Sequence, residues 1–274
     1  MRIIDTHLHL IYLDKFSYPW VAGNKVLERQ YPAESFFAEA EALGIEGAIH
    51  MEVDVAEEQM EAETRFMTKV HPKVIGAIAS CRPEQADFPE YLERMAQVEG
   101  LVGFRRILHT SPNELSQSAL FAENIRRLAD YGLPFDLCVR ADQLPVARAL
   151  AEKAPNVSFV LDHCGVPDVG AGVFEPWGQY ISEIAALPNV TAKVSGIVAY
   201  AKPGWTPEDL RPWVEHVITS FGWDRVVWGS DHPVCRLTAD LTSWVNATRH
   251  IISGASEDEQ SKLLSRNAER VYGL

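Results

Sequence analysis

The stretch IIDTHLH at residues 3–9 sets the interpretation of the whole chain, because a short apolar run ends there on two histidines. Alternate side chains of a strand share a face, so His7 and His9 should point to the same side. A second apolar run, VVWGSDHP at residues 226–233, ends on Asp231. Bringing that carboxylate beside the two imidazoles requires the first strand to lie next to the last, as in a barrel. Two histidines and an aspartate at one barrel mouth suit either a metal site or the activation of water.

Between these motifs, short apolar runs alternate with amphipathic segments. Eight runs are predicted as strands, and several are almost continuously apolar, which favours parallel strands buried on both faces. They span residues 2–9, 46–53, 73–80, 101–108, 134–140, 157–163, 190–196 and 225–231. Predicted helices lie between them, and a last one, 257–271, follows Ser256 with Glu259 at the capping-box spacing. We therefore predict an α/β fold, a distorted TIM-like (β/α)₈ barrel, as one domain over residues 1–274. A doubly wound open sheet is the competing prediction.

Composition limits the classes of partner. The 274-residue chain is 47% hydrophobic and carries a formal net charge of −13, which argues against nucleic acid or an anionic membrane as a partner. No apolar stretch approaches the roughly 20 residues of a membrane helix, and no signal peptide is visible. The four cysteines show no paired spacing, so reduced thiols in the cytoplasm are expected. A homo-oligomer is left open.

Polar residues collect at the C-terminal ends of the predicted strands, where barrel active sites lie. The candidate catalytic residues are His7, His9, His163 and Asp231. Asp231 follows a Gly-Ser pair and precedes a proline, so it could instead cap a loop. Asp162 should point away from His163, and a structural ion pair between the strand and helix layers is the better interpretation for it.

Candidate substrate-binding residues surround this set. The guanidinium group of arginine binds carboxylates and hydroxyls through paired N–H groups. This favours Arg140, and one of the adjacent Arg105 and Arg106, as substrate-binding residues. Adjacent strand residues face opposite sides, and we favour Arg105 as the inward one. Lys193 and Ser195 share a face of the seventh predicted strand, and a buried lysine there needs a partner. The long aromatic segment 10–32 adds two further candidates, Tyr18 and Trp20.

Taken in order, these motifs resemble the amidohydrolase superfamily. More narrowly they resemble the lactonase branch that includes L-fuconolactonase, L-rhamnonolactonase and 2-pyrone-4,6-dicarboxylate lactonase. The motifs are IDTHLH (4–9), YPW (18–20), GFRR (103–106), FDLCVR (135–140), LDHCG (161–165), VSG (194–196) and WGSDHP (228–233). The resemblance implies that Asp231 is the general base for water. It also implies that His7, His9 and His163 surround the lactone carbonyl, directly or through a metal. Arg105 and Arg140 would hold the substrate with Tyr18 or Trp20.

The chain also departs from the superfamily pattern in its metal ligands. The fourth predicted strand offers arginines where binuclear members carry a bridging lysine or glutamate. The fifth, residues 134–140, lacks the histidine that is usual in mononuclear members. His7, His9 and Asp231 could still hold one zinc, with His163 or Glu52 as further ligands. Since the lactonase branch includes metal-independent members, no obligatory cofactor is expected.

Three functions remain open from the sequence. The first is a hydrolase that opens the lactone of a sugar acid or a dicarboxylic acid. The second is a metal-dependent decarboxylase of an aromatic or unsaturated acid on the same barrel, against which the missing histidine argues. The third is a non-catalytic sugar-acid binding protein, which Asp231 and three mouth histidines disfavour because binding alone needs no base.

Overall fold

In the computed structural model, which describes residues 1–274, eight parallel strands lie side by side in sequence order. The strands are β1 (Ile3–Leu8), β2 (Ile45–Met51), β3 (Val74–Ser80), β4 (Leu101–Ile107), β5 (Phe135–Cys138), β6 (Phe159–Leu161), β7 (Val190–Val194) and β8 (Val226–Trp228). Each strand pairs with the next, and a parallel bridge from Leu8 to His232 joins the first strand to the segment that follows the last. The sheet is thus a nearly closed barrel, and the (β/α)₈ prediction is confirmed.

The seam between β1 and β8 is closed by hydrogen bonds that lie outside the regular strand ladder. The Thr6 hydroxyl donates to the Trp228 carbonyl oxygen at 2.8 Å. The Asp231 backbone N–H donates to the His7 carbonyl oxygen at 2.9 Å. These bonds place the two terminal motifs of the sequence side by side.

Helices cover the outside of the barrel. They are α1 (Ala33–Ala40), α2 (Met60–Met67), α3 (Phe88–Met95), α4 (Asn113–Gln117), α5 (Ala119–Arg126), α6 (Leu144–Lys153), α7 (Trp177–Ala185), α8 (Pro207–Phe221), α9 (Leu241–Ile251), α10 (Glu257–Ser261) and α11 (Asn267–Tyr272). The predicted helix 257–271 is interrupted by a π-helical turn over Lys262–Arg266, although its capping box at Ser256 forms as expected. No helix combines the length and apolar character needed to cross a membrane.

Two apolar layers stabilise the barrel. The larger, of 63 buried residues, packs the helices against the outer face of the sheet. The smaller lies in the barrel interior, where Ile4, Ile49, Val160 and Val227 from different strands meet Tyr272 of α11. Because these apolar side chains fill part of the barrel interior, the polar side chains lie towards the C-terminal strand ends.

Candidate active site

A cavity of about 230 Å³ opens at the C-terminal ends of the strands. It is lined by His9, Trp20, Val53, Asp54, Arg105, Ile107, His109, Thr110, Cys138, His163, Val166, Tyr200, Asp231 and Val234. Its position is the one expected for the active site of a barrel enzyme.

Left-handed backbone marks the ends of three strands at this cavity. Five non-glycine residues have positive φ, and all of them follow β2, β6 or β8: Asp54 (46°), His163 (54°), Cys164 (54°), Val166 (51°) and Asp231 (55°). Four of the five line the cavity. A β-branched residue such as Val166 rarely adopts this conformation, and such strain is concentrated at functional sites. The same turns explain why β6 and β8 stop after three residues, short of the predicted 157–163 and 225–231.

His7, His9 and Asp231 form a compact triangle of ligand atoms. The two imidazole Nε2 atoms lie 3.2 Å apart, and Asp231 Oδ1 lies 3.7 Å from that of His7 and 3.6 Å from that of His9. Ligands at 2.0–2.1 Å around a tetrahedral zinc are separated by about 3.3 Å, which these three edges approach. Burial lowers the pKa of both histidines well below the usual range, so the imidazoles are neutral, the form that binds metals.

The outer nitrogens of both rings have oxygen partners. His9 Nδ1 lies 3.0 Å from the Met51 carbonyl oxygen, which can only accept, so Nδ1 carries the proton. His7 Nδ1 lies 3.3 Å from Asp162 Oδ1. Lys193 Nζ also lies 3.3 Å from His7 Nδ1, and the Arg105 guanidinium lies beside His7 Nε2, with Nη1 at 3.4 Å. Metal-binding histidines usually have a carboxylate or carbonyl partner of this kind, so the donor set fits a single divalent metal.

Asp162 is held as a carboxylate beneath this triangle. Burial alone would raise the pKa of Asp162, but the Lys193 ammonium and the His7 ring outweigh it and lower that pKa well below the usual range. Lys193 is fully buried, with its Nζ 2.5 Å from Asp136 Oδ2, 3.1 Å from Asp162 Oδ1 and 3.2 Å from the Thr6 carbonyl oxygen. The lysine expected at the substrate is therefore enclosed under the site and does not line the cavity. Asp162 does form an ion pair, but with Lys193 of β7 under the cavity and not between the strand and helix layers as expected.

Ser195, also expected at the substrate, instead contacts His163. The serine hydroxyl lies 2.9 Å from His163 Nδ1, and burial lowers the pKa of this histidine to about 3. A Cβ atom on Gly196 would lie 2.3 Å from the same Nδ1, so only glycine leaves room for the ring. His163 is thus a neutral imidazole held in one orientation on the cavity wall.

Arg105 faces the cavity, as favoured from the sequence, whereas Arg106 points outward to Glu84 at 2.9 Å. Arg105 Nε donates to Glu52 Oε1 at 2.6 Å, and its Nη1 lies 3.4 Å from His7 Nε2. Glu52, considered as a further metal ligand, is therefore bound to the guanidinium. The pair leaves Arg105 charged and rigid beside the triangle.

Two other candidate residues lie away from the cavity. Arg140 is 45% exposed, pairs with Asp142 at 2.9 Å, and donates to the His109 carbonyl oxygen. Tyr18 is buried in an apolar cluster behind the wall, where its hydroxyl accepts the Tyr12 backbone N–H. By contrast, Trp20 lines the cavity.

The sequence reasoning left five polar or polarisable wall residues out of the candidate set. They are Asp54, His109, Thr110, Cys138 and Tyr200. Asp54 and His109 belong to the polar residues at the ends of the predicted strands but were given no role, and Cys138, which ends β5, was interpreted as a small apolar residue. Tyr200 lies six residues after the end of β7, so its distance from the strand gave no indication that it lines the cavity.

Comparisons with known proteins show which family the chain belongs to. A family model described as amidohydrolase matches residues 4–274. L-fucono-1,5-lactonase of Burkholderia multivorans (strain ATCC 17616 / 249) is 30% identical over 289 residues, covering 99% of this chain and 96% of that protein. 4-Sulfomuconolactone hydrolase of Rhizobium radiobacter is 24% identical, covering 84% of this chain and 75% of that protein.

Among solved structures, an amidohydrolase from Burkholderia multivorans with bound zinc superposes with a TM-score of 0.90 at 25% identity, over the full length of both chains. The family match covers nearly the whole chain, and the two curated relatives described above are named as a lactonase and a lactone hydrolase. The expectation of a hydrolase is thus confirmed, and the chain belongs to the amidohydrolase family.

Proposed function

We propose that this hydrolase opens the cyclic ester of a sugar acid, with Asp231 as the general base. The observation that carries the proposal is the convergence of His7, His9 and Asp231 within 3.7 Å at the cavity. The lactone-hydrolysing relatives support ester chemistry at such a site.

In the proposed reaction, Asp231 removes a proton from water while the water oxygen attacks the lactone carbonyl. The ring C–O bond then breaks, and the departing oxygen becomes a hydroxyl by taking the proton that Asp231 removed from water. Arg105 and His163, both on the cavity wall, can direct N–H groups at the carbonyl oxygen as negative charge develops there. Lys193 and Asp162 act indirectly, since together they hold the His7 ring.

A divalent metal would be held by His7, His9 and Asp231. When bound there, it would polarise the lactone carbonyl and favour the ionised form of nearby water. A solved relative contains zinc, which supports testing zinc first. Whether turnover requires it is decided by the experiment below.

The charges on the cavity wall favour a lactone without net charge over a dicarboxylate lactone. Arg105 is the only lysine or arginine among the lining residues, and Glu52 already pairs with it. A dicarboxylate needs unpaired cations, whereas Asp54 and Asp231 would repel it. The hydroxyls of a sugar lactone can instead donate to Asp54 and pack against the rings of Trp20 and Tyr200.

The test is proton release by purified protein against neutral sugar lactones and dicarboxylate lactones, with chelator and with added zinc. We expect turnover of a neutral lactone and a fall in kcat of about 10²–10⁴-fold in Asp231→Asn. The matched change Asp54→Asn should mainly raise KM. Full activity of Asp231→Asn, or a preference of the native protein for dicarboxylate lactones, would contradict the proposal.

Decarboxylation is the second outcome that the same experiment can detect. β5 carries no histidine, and its carboxylate Asp136 is bound to buried Lys193, so the ligand set of the mononuclear pattern is incomplete. Carbon dioxide release from an aromatic acid, abolished by chelator and absent with all lactones, would favour that activity.

A further inference from the structure

His109 and Cys138 form a hydrogen-bonded pair on the cavity wall that the proposed reaction has not used. Nδ1 of His109 lies 3.1 Å from Cys138 Sγ, and both residues line the cavity. This contact is the only hydrogen bond of the His109 ring, so Nε2 has no partner within the protein. A free ring nitrogen beside a substrate cavity is available to a ligand.

The chemistry of the pair decides which ring nitrogen carries the proton. Burial raises the pKa of the Cys138 thiol, so the sulfur keeps its proton. Burial and the nearby Arg105 lower the pKa of His109, so the ring is neutral. An imidazole lone pair is a stronger acceptor than a thiol sulfur, which accepts weakly. The thiol S–H therefore donates to Nδ1, and the ring proton resides on Nε2.

The backbone of His109 is fixed as firmly as its ring. Its N–H donates to the Cys138 carbonyl oxygen at 3.0 Å, and its own carbonyl accepts from the Arg140 guanidinium. Arg140, expected from the sequence to hold the substrate, thus holds His109. The histidine follows β4 and Asp231 follows β8, so the two stand on opposite sides of the eight-strand ring. A ligand in the cavity lies between them.

We propose that His109 is a substrate-contacting hydrogen-bond donor through Nε2–H, and that Cys138 is the positioning residue that fixes its tautomer. The oxygen that accepts this bond is a hydroxyl or the ring oxygen of the lactone, on the side away from Asp231. The contact with substrate rests on the proposed lactonase function. The tautomer does not, because it follows from the Cys138 contact alone.

The first arm of the test reads the tautomer without any activity. Protein labelled with ¹⁵N at histidine is studied by NMR, and the His109 signals are identified by their loss in His109→Gln. We expect a protonated Nε2 and an unprotonated Nδ1 in the native protein. Cys138→Ala should give a mixture of tautomers, whereas Cys138→Ser, which keeps a donor, should retain the native one. Cys81→Ala, at another buried free cysteine, is the matched control and should leave the His109 signals unchanged.

The second arm measures KM and kcat separately with the best neutral lactone. Cys138→Ala should raise KM about two- to fivefold, because only the share of rings that keeps Nε2–H still binds fully, with a smaller change in kcat, and Cys138→Ser should restore KM. A native His109 protonated on Nδ1, or a tautomer that Cys138→Ala leaves unchanged, would overturn the proposal. An unchanged KM in both Cys138→Ala and His109→Gln would overturn the substrate contact. If no lactone is hydrolysed while the tautomers behave as expected, the proposed function fails and the assignment of Cys138 stands.

Discussion

Gly196 shows how closely a single residue constrains the site. Its backbone is left-handed, with φ at +66°, and a Cβ there would overlap His163 Nδ1. Gly204 offers a matched comparison, because its φ is +81° but no atom lies within 4 Å of the Cβ position. Comparing alanine substitutions at the two glycines separates the free-energy cost of a left-handed backbone from the cost of steric overlap with His163.

We expect Gly204→Ala to lower the free energy of unfolding by about 1–2 kcal/mol, the cost of a left-handed alanine, and to keep activity. Gly196→Ala should lose more stability and also reduce kcat, since the His163 ring has to move. Denaturant unfolding and steady-state kinetics on both variants measure this. Equal stability and equal kcat in the two variants would show that His163 tolerates displacement.

Asp231 leads to a pH prediction. Burial raises the pKa of this carboxyl well above its ordinary 3.8, with the Arg105 guanidinium opposing. A base must be ionised, so activity is present above the raised pKa and is lost as the pH falls through it. We expect the acid limb of kcat/KM in chelator-treated protein to lie clearly above pH 3.8.

Added zinc should move that limb to lower pH, because a cation beside a carboxylate favours its ionised form. The measurement is a pair of pH profiles, with chelator and with zinc. Coincident profiles would mean that zinc does not bind beside Asp231.

The orientation of some single side chains was predictable from the sequence, whereas their partners were not. Strand alternation placed His7 and His9 on one face, and the structure brings their Nε2 atoms to 3.2 Å. The same rule directed Lys193 inward but could not show that Asp136, on another strand, would neutralise it. Arg140 was assigned to the substrate because guanidinium groups bind carboxylates and hydroxyls. Its contact with Asp142 depends on a turn that strand periodicity does not describe.

At the scale of elements, strand number and order were predictable, and element ends were not. The runs 157–163 and 225–231 look like strands throughout, yet only Phe159–Leu161 and Val226–Trp228 are extended. Positive φ occurs at His163 and Asp231, two and three residues after the strands end, and apolar periodicity gives no sign of it. The π-helical turn Lys262–Arg266 is similarly invisible, because one extra residue in a turn barely changes a helical pattern.

The π-helical turn leads directly into Asn267, which joins α11 to β8. Its amide donates to the carbonyl oxygens of Trp223 and Val226, each at 2.7 Å. Asn267→Ala leaves these carbonyls without that donor, so we expect a loss of about 2 kcal/mol in the free energy of unfolding. The exposed Asn246 on α9 is the control, and Asn246→Ala should cost less than about 0.5 kcal/mol. Equal losses from urea unfolding would contradict the assigned role.

At the scale of the whole molecule, buried charge links distant segments. Asp136 of β5 contacts Lys193 of β7 at 2.5 Å and the hydroxyl of Tyr272 in α11 at 3.2 Å. We propose that residues 1–274 unfold as one unit, because this network and the seam between β1 and β8 connect the two ends of the chain.

The expected result is a single transition that coincides by far-UV circular dichroism and tryptophan fluorescence. Tyr272→Phe removes one donor from the buried Asp136 carboxylate and should shift both probes together, by about 1–3 kcal/mol. Tyr131→Phe, at an exposed tyrosine, should leave the transition in place. Two separate transitions, or a shift of one probe alone, would show that the chain folds in parts.

The seam between β1 and β8 also has a consequence for how the enzyme is made. A ribosome releases His7 and His9 more than 200 residues before Asp231, and the bonds from Thr6 to Trp228 and from Asp231 to His7 cannot form until β8 has emerged. The nascent chain therefore carries its histidine pair without its carboxylate for most of translation. Arrested chains that end before residue 226 should lack the site, however much of the barrel wall they have already built.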